Sequence, residues 1–472
     1  MNSAATSTYP AFSAGFRASL AQIAGDGCLC TDPADCWAYG YDNSRRHALP
    51  QAVIFATDEM QIAALVRLCA ETGTPLIARG RGTGTTGATV PDQGGIVLSF
   101  ERMTQIIRLA PADRLAVVQP GVVNAQLQQA IEPLGFFWPP DPTSAATCTI
   151  GGNLAYNSAG PRAVKYGTPR DNTLGLRAID GRGEAFHTGV QTTKGVVGYD
   201  LTRLLIGSEG TLALLTEATL KLTPLPETRR TLRASYVDIH AAAAAVSAIM
   251  AQPVTPCALE FMDAAALATV RHFAPLDVPN GVGALLMIEV DGAHACIDAA
   301  VAAVSAAATV TGLHELRRAE SAAEVAALWK IRKSLSPTLR HIAPKKINED
   351  VVVPVSRMGE FIDGLERLAH ETGVRIVNFG HAGNGNIHVN LLINPDNATE
   401  VAQASVCLDA IFTLVLRLGG TLSGEHGVGL EKREFVEREL DPVALRLMAA
   451  IKLGFDPANI LNPGKGLPIR SD

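Results

Sequence analysis

Arg79-Gly80-Arg81-Gly82-Thr83-Gly84-Thr85-Thr86-Gly87 decides how this chain is read, and the short apolar run Pro75-Leu76-Ile77-Ala78 leads into it. Its four glycines free the backbone for positive φ and for close approach to a ligand, and they leave successive N–H groups able to converge on an anion. On the loop alone two readings stay open, a phosphate cradle and a glycine-rich surface turn. The loop lacks the Gly-Lys-Ser/Thr ending of a nucleotide P-loop, and its glycines are not spaced G-x-G-x-x-G. A phosphate held here therefore belongs to a different fold.

Upstream, Ala52-Val53-Ile54-Phe55 reads as a strand. Asp58 and the helically spaced Ile62, Leu65, Val66 and Cys69 read as the helix after it, so a β-α-β unit ends at the glycine loop. Downstream, short strands are predicted at 95–99, 105–109 and 115–119, with a helix over 124–131 that Pro133 stops. From Trp138 to Pro169 periodicity fades among Pro, Gly, Asn, Ser and Thr, which predicts an irregular but ordered backbone wrapping a ligand. Strands resume at 174–179 and 212–222, and Pro224 and Pro226 mark a boundary. Beyond it comes an α+β region: strands at 231–237, 284–290, 350–354, 374–379 and 386–393, and helices at 239–251, 294–310, 321–335, 356–371 and 398–417. The tail carries a helix over 442–453 and the run Asn462-Pro463-Gly464-Lys465.

A chain of 472 residues is long enough for two or three cores. Its formal net charge of −6 gives no general attraction to nucleic acid or anionic lipid. Eight scattered cysteines without a C-x-x-C pair suggest reduced thiols in a cytosolic protein. Met1 to Pro10 has no secretory pattern, and the apolar helix 241–251 has about half of the roughly 20 residues a membrane span needs. A cytoplasmic protein, at most peripheral at the inner membrane face, is the expectation.

Two segments carry the chemistry: Gly380-His381-Ala382-Gly383-Asn384-Gly385-Asn386-Ile387-His388 and Ser423-Gly424-Glu425-His426-Gly427-Val428-Gly429. Two histidines and a glutamate are able to hold a divalent metal with positions open for substrate, and core histidines beside tight turns are the other reading. Arg332 stands among Trp329, Ile331 and Leu335 on a predicted helix. It is either a solvated edge residue or a planar, bidentate partner for a carboxylate. Lys345 and Lys346 read on their own as a surface pair.

Taken together, Arg79 to Gly87, Pro139 to Ser144, Cys148 to Asn153, Lys165-Tyr166-Gly167, Gly207 to Leu212, the two histidine segments and Asn462 to Lys465 occur in an order that resembles the FAD-linked 2-hydroxy acid dehydrogenases of the vanillyl-alcohol oxidase and p-cresol methylhydroxylase fold. The D-lactate, glycolate and D-2-hydroxyglutarate enzymes are the nearest members. The resemblance implies an α+β protein: a two-part FAD-binding domain over 1–226, a substrate domain with an antiparallel sheet over 227–420, and a segment 421–472 returning to the flavin. It implies flavin contacts at Arg81, Gly82, Thr83, Gly84 and Thr85, which wrap the pyrophosphate. Further contacts are implied at Pro142, Thr143, Ser144, Cys148, Gly151, Gly152, Asn153, Asn157, Glu209, Gly210 and Asn462. Thr83 falls where covalently flavinylated relatives carry histidine, so the FAD is expected to be non-covalent. His381, His388 and Glu425 match metal ligands, with zinc the expected ion and manganese or iron as alternatives. His426 matches a catalytic base, and Arg332, Ser336 and Lys346 a substrate pocket. Asn384 departs from an aspartate common among relatives, and Ser336 from a threonine typical of the hydroxyglutarate enzymes.

The resemblance thus implies an FAD-dependent dehydrogenase oxidising a D-2-hydroxy acid, D-lactate favoured, with D-2-hydroxyglutarate and glycolate as alternatives. A non-catalytic flavin subunit of an electron-transfer complex is a further one. No nucleic-acid partner is expected and a homodimer is allowed. Electrons are expected to leave for an external acceptor such as a quinone-linked complex, a cytochrome or an electron-transfer flavoprotein.

Overall fold

The computed structural model describes residues 9–273 and 281–468. Its contacts divide the chain into two compact units. The first takes the residues up to Ala159, then Gly167–Leu225 and the chain from Glu425 onward; the second takes Gly160–Tyr166 and Pro226–Gly424.

In the first unit the β-α-β reading holds. Strand β1 (Ala52–Phe55) leads to α1 (Glu59–Thr72), which Asp58 caps by accepting the Gln61 amide and which Gly73 ends in the left-handed region. Strands β2 (Leu76–Arg79) and β3 (Ile96–Ser99) follow, and β3 lies between β1 and β2, parallel to both. Every residue of β1 and β3 is buried, so these strands are continuous apolar runs rather than alternating ones.

An antiparallel five-stranded sheet completes the unit, in the order β4 (Ile106–Ala110), β5 (Leu115–Val118), β8 (Leu214–Lys221), β6 (Thr173–Ile179), β7 (Ala185–Gly189). Along β8 the residues from Leu214 to Leu220 alternate between buried and half-buried, as a strand packed on one face does. Helix α2 (Asn124–Ile131) packs Leu127 and Ile131 into the same core. The stretch expected to be irregular from Trp138 to Pro169 contains two short helices, α3 (Ile150–Tyr156) and Ala163–Tyr166. Thr149 nucleates α3 by accepting the Gly152 amide through Oγ1 at 3.2 Å, a cap that outweighs the poor helix propensity of Gly151-Gly152.

The second unit is built on one antiparallel sheet of seven strands. Its order is β12 (Leu313–Arg318), β9 (Thr228–Tyr236), β11 (Ala284–Gly292), β10 (Ala258–Asp263), β14 (Arg375–His381), β15 (Asn386–Ile393), β13 (Lys345–Val352). Strands β10 and β12 and helix α5 (Ala264–Phe273) were not read from the sequence. Residues directly opposite across strands share a face. Glu260 faces Met287 and His381, His381 faces Asn386, Phe379 faces His388, and His388 faces Asp350. These polar groups therefore line one side of the sheet. Helix α4 (Ile239–Ala251) packs on β9 and β11, α6 (Ile297–Ala308) on β9, β11 and β12, α8 (Met358–Thr372) on β14 and α9 (Ala398–Arg417) on β15.

The remaining helices, α5 and α7 (Ala322–Thr338), meet the face that carries the histidines. Leu335 and Leu339 pack there with Met262, Leu285, Val377, Phe379 and Leu392. Helix α9, at 20 residues, is long and apolar enough to cross a membrane by composition, where 241–251 was the longest candidate in the sequence. Ala404, Cys407, Ile411, Phe412, Leu414 and Val415 are buried along it, the pattern of a helix that packs one face against the protein.

Candidate active site

Around the glycine loop the first unit is tightly held. Arg79 is buried, and its guanidinium donates to the carbonyls of Tyr41 at 2.6 Å and Ala38 at 3.3 Å. A Cβ on Gly82, at φ +64°, would strike that guanidinium, and a Cβ on Gly84 would come within 2.6 Å of the Tyr156 hydroxyl. The loop is pinned at its far end, where the Gly87 amide donates to Asp42 at 2.9 Å and the carbonyls of Thr83 and Gly84 accept from Asn43. The amides from Arg81 to Thr86 donate to no acceptor among the described residues. A run of undirected amides inside a fixed loop suits a multiply charged anion such as a pyrophosphate, so the residues present fit the diphosphate of FAD.

The other implied flavin residues divide by their partners. Pro142 and Ser144 lie in the turn before α3, whose backbone is closed by Ala145 N–H to Pro142 and Cys148 N–H to Ser144. Cys148 and Asn153 are buried against each other, and Asn153 Oδ1 accepts from Asn124 at 3.0 Å. Asn157, at φ 53°, accepts the Arg170 amide. Glu209 is buried at φ 55°, and its carboxylate accepts the amides of Val428 at 2.5 Å and Gly429 at 2.8 Å. Asn462 donates to the carbonyls of Glu209 and Ala88. The side chains of Asn153, Glu209 and Asn462 therefore bind protein and brace the loop region. Glu209 and Asn462 in particular tie the C-terminal segment to β2 and the glycine loop, since the Asn462 amide also donates to Leu76.

His426 belongs to this braced region. Its carbonyl accepts from Thr86 at 3.5 Å, and Leu430 N–H donates to the Thr86 carbonyl at 2.8 Å. Gly427, at φ +83°, has no room for a side chain, because a Cβ would meet Glu209 Oε1 and the Tyr156 ring. Burial pushes the Glu209 carboxyl up, against the opposing pull of the Val428 and Gly429 amides and of Lys432 and Lys465.

In the second unit the histidines converge on the polar face of the sheet. His381 and His388 stand edge to face with ring centroids 5.2 Å apart. Gly380 allows this hairpin to close, since a Cβ there would lie 2.2 Å from the Asn386 carbonyl. His381 Nδ1 is 2.6 Å from Glu260 Oε1, and Arg332 Nε donates to Glu260 Oε2 at 2.7 Å. Glu260 is fully buried and Arg332 is 9% exposed, so Arg332 is no solvated edge residue. Its guanidinium also lies over the Phe379 ring at 4.9 Å. Burial pushes the Glu260 carboxyl up, but the charges of His381 and Arg332 and their hydrogen bonds outweigh it and hold the group below its ordinary value.

Asp350, equally buried, accepts from Asn386 at 2.7 Å and from the Gly424 amide at 3.0 Å, and its Oδ1 lies 3.8 Å from His388 Nδ1. Asn384, the departure noted in the sequence, is exposed in the β14–β15 turn, and Glu260 and Asp350 are the carboxylates beside the histidines. Lys346 is half-buried and donates to Ser336 Oγ at 2.6 Å, one helical turn beyond Arg332 on α7. Among the described residues Arg332 Nε alone of its guanidinium nitrogens has a protein acceptor. A buried guanidinium with its fork uncommitted is suited to a carboxylate, and two neighbouring imidazoles, one of them held by Glu260, are suited to a divalent cation. The donor set therefore fits a metal.

The fold is that of p-cresol methylhydroxylase, whose structure matches with a TM-score of 0.80 at 19% identity over 97% of both chains. A two-unit flavoprotein oxidoreductase is the class these features define. The family model described as FAD binding domain matches residues 50–189, and that described as FAD linked oxidases, C-terminal domain, matches residues 225–466. The chain is 38% identical to glycolate oxidase subunit GlcD of Bacillus subtilis (strain 168), over 95% of its own length and 96% of the relative's. It is 33% identical to D-lactate dehydrogenase of Anaerostipes hadrus, over 89% and 90% of the two chains, and 33% identical to D-2-hydroxyglutarate dehydrogenase of Stutzerimonas stutzeri (strain A1501), over 93% and 96%. The chain belongs to the FAD-linked oxidases, in the group that contains these three enzymes, as the ordered motifs led one to expect.

Proposed function

We propose that this flavoenzyme oxidises a D-2-hydroxy acid, D-lactate before others, to the 2-oxo acid. The observation that carries the reading is Arg332: a guanidinium buried on Glu260, its fork uncommitted, on the sheet face that carries His381 and His388. Taking such a charge out of water is costly unless it is paired and hydrogen-bonded, and Glu260 supplies one partner while the two terminal nitrogens are left for a ligand.

When bound, FAD supplies the two-electron acceptor, and a divalent cation, zinc before manganese or iron, supplies Lewis acidity. The amides of Arg81 to Thr85 hold the FAD diphosphate without a covalent bond, since Thr83 offers no nucleophilic nitrogen. His381, His388 and Glu425 hold the cation. Arg332 grips the substrate carboxylate through its two terminal nitrogens and orients Cα. His426, its backbone held by Thr86, accepts the hydroxyl proton at the imidazole. Electrons then leave for an external carrier in the cytoplasm or at the inner face of the membrane.

The Ser336–Lys346 pair favours one second reading. Ser336, one turn beyond Arg332 on α7, accepts from the half-buried Lys346 of β13, which sets a cation in place for the distal carboxylate of D-2-hydroxyglutarate. Anaerobic titration of metal-loaded enzyme with D- and L-lactate, glycolate, D-2-hydroxyglutarate and D-malate decides between them. Bleaching of the flavin by D-lactate at the lowest concentration is expected. Preference for D-2-hydroxyglutarate supports the second reading, and an oxidised flavin with all five overturns both.

A further inference from the structure

One carboxylate, Glu260, bonds both to the proposed substrate clamp and to a proposed metal ligand, and nothing in the sequence singled it out. It sits in the middle of β10 with no solvent exposure, and its two oxygens point to two different elements. Oε1 meets His381 on β14 at 2.6 Å and Oε2 meets Arg332 on α7 at 2.7 Å. The first contact is fixed by register, because Glu260 and His381 are directly opposed across the strand pair. The second is fixed by packing, because α7 is held on the sheet by Leu335 and by Leu339 just past its end.

Each bond has a chemical consequence. Donation from His381 Nδ1 to Oε1 selects the tautomer whose lone pair is on Nε2, the form able to bind a cation there. Anchoring Arg332 by Nε leaves its two terminal nitrogens as a parallel fork for a carboxylate. A group that draws charge from Oε1 changes what Oε2 offers the guanidinium, so the occupancy of one side biases the other. The effect is reciprocal by thermodynamic necessity.

We propose that Glu260 is a positioning residue that couples cation binding at His381 to carboxylate binding at Arg332, so that each ligand is held more tightly when the other is present. The proposal rests on the reading of the site given above.

The test uses the FAD-loaded enzyme and zinc alone as the metal probe, in competition with a chromogenic chelator, with and without the 2-oxo acid product pyruvate. In the wild type, pyruvate is expected to tighten zinc retention. In Glu260→Gln, zinc affinity is expected to fall by about 10- to 100-fold. KM for D-lactate should rise at saturating zinc more than kcat falls, and the pyruvate effect on zinc should vanish. Arg332→Lys, which keeps the charge but loses the Nε bond, should also lose the pyruvate effect although it touches no metal, and it keeps the test alive should Glu260→Gln fail to fold. Zinc affinity and pyruvate linkage unchanged in either folded variant overturn the coupling alone. A wild type that retains no zinc after loading overturns the coupling together with the metal reading it rests on.

Discussion

The carboxylate of Glu209 accepts the amide of Gly429 at 2.8 Å, binding the segment that carries His426 to the turn after the short helix Leu201–Leu205. Val428 N–H shares the same carboxylate, so the two peptides just past Gly427 are fixed by one buried acid. Glu209→Ala removes two charge-assisted bonds and leaves the buried Gly429 amide and the half-buried Val428 amide without this acceptor. A loss of about 2–4 kcal/mol in denaturant unfolding is expected. A slower flavin reduction by D-lactate should accompany it, because His426 loses its brace.

The glycine loop makes a separate prediction. Gly82→Ala forces a Cβ at φ +64° onto the Arg79 guanidinium. The backbone cost alone is about 1 kcal/mol, and displacement of Arg79 adds to it. The variant is expected to lose FAD on gel filtration where the wild type keeps it. Acid precipitation of the wild type should leave a colourless pellet and a yellow supernatant, the outcome for a flavin without a covalent link at Thr83.

Asp263 gives the pH dependence of stability. Burial pushes its carboxyl up to about 6, against the amides of Ala266 and Asn378 that donate to it. An acid whose folded value lies above its ordinary one binds its proton more tightly when folded. The native state therefore loses stability as pH rises from about 4 through 6, by up to about 3 kcal/mol. Asp263→Asn should flatten that part of the profile, as read by unfolding free energy at successive pH values. A slope unchanged by the substitution contradicts the assignment.

Removal of metal is expected to affect reduction and not colour. Exhaustive chelation should abolish bleaching by D-lactate while the yellow flavin remains bound, and added Zn²⁺ or Mn²⁺ should restore it. Activity untouched by chelation contradicts a metal on His381, His388 and Glu425.

The β-α-β unit was legible because its strands are apolar runs and its helix carries both a cap and a period. Residues 386–393 and 398–417 were read to the residue for the same reason. Strand β10 was not, because Ala258-Leu259-Glu260-Phe261-Met262-Asp263 is buried on both faces and carries an acid in the middle, so neither alternation nor apolarity marks it. With that strand went Glu260, whose role depends on a register between residues 121 positions apart. Asp350 escaped for a similar reason, since only its pairing with His388 gives it meaning. Glu209 was legible as part of Gly207-Ser208-Glu209-Gly210, but its partners were not, because amides of a distant segment leave no trace in composition. The histidines were found because glycines flank them, and glycine is needed where the β14–β15 hairpin closes at Gly380.

The most direct test of the central claim is anaerobic mixing of metal-loaded enzyme with D-lactate, followed by flavin absorbance at about 450 nm in the wild type and in His426→Ala. The wild type should bleach to the reduced flavin in a single turnover, and His426→Ala should keep the oxidised spectrum with FAD still bound. Equal bleaching in both proteins, or none in the wild type with any 2-hydroxy acid, would contradict the account.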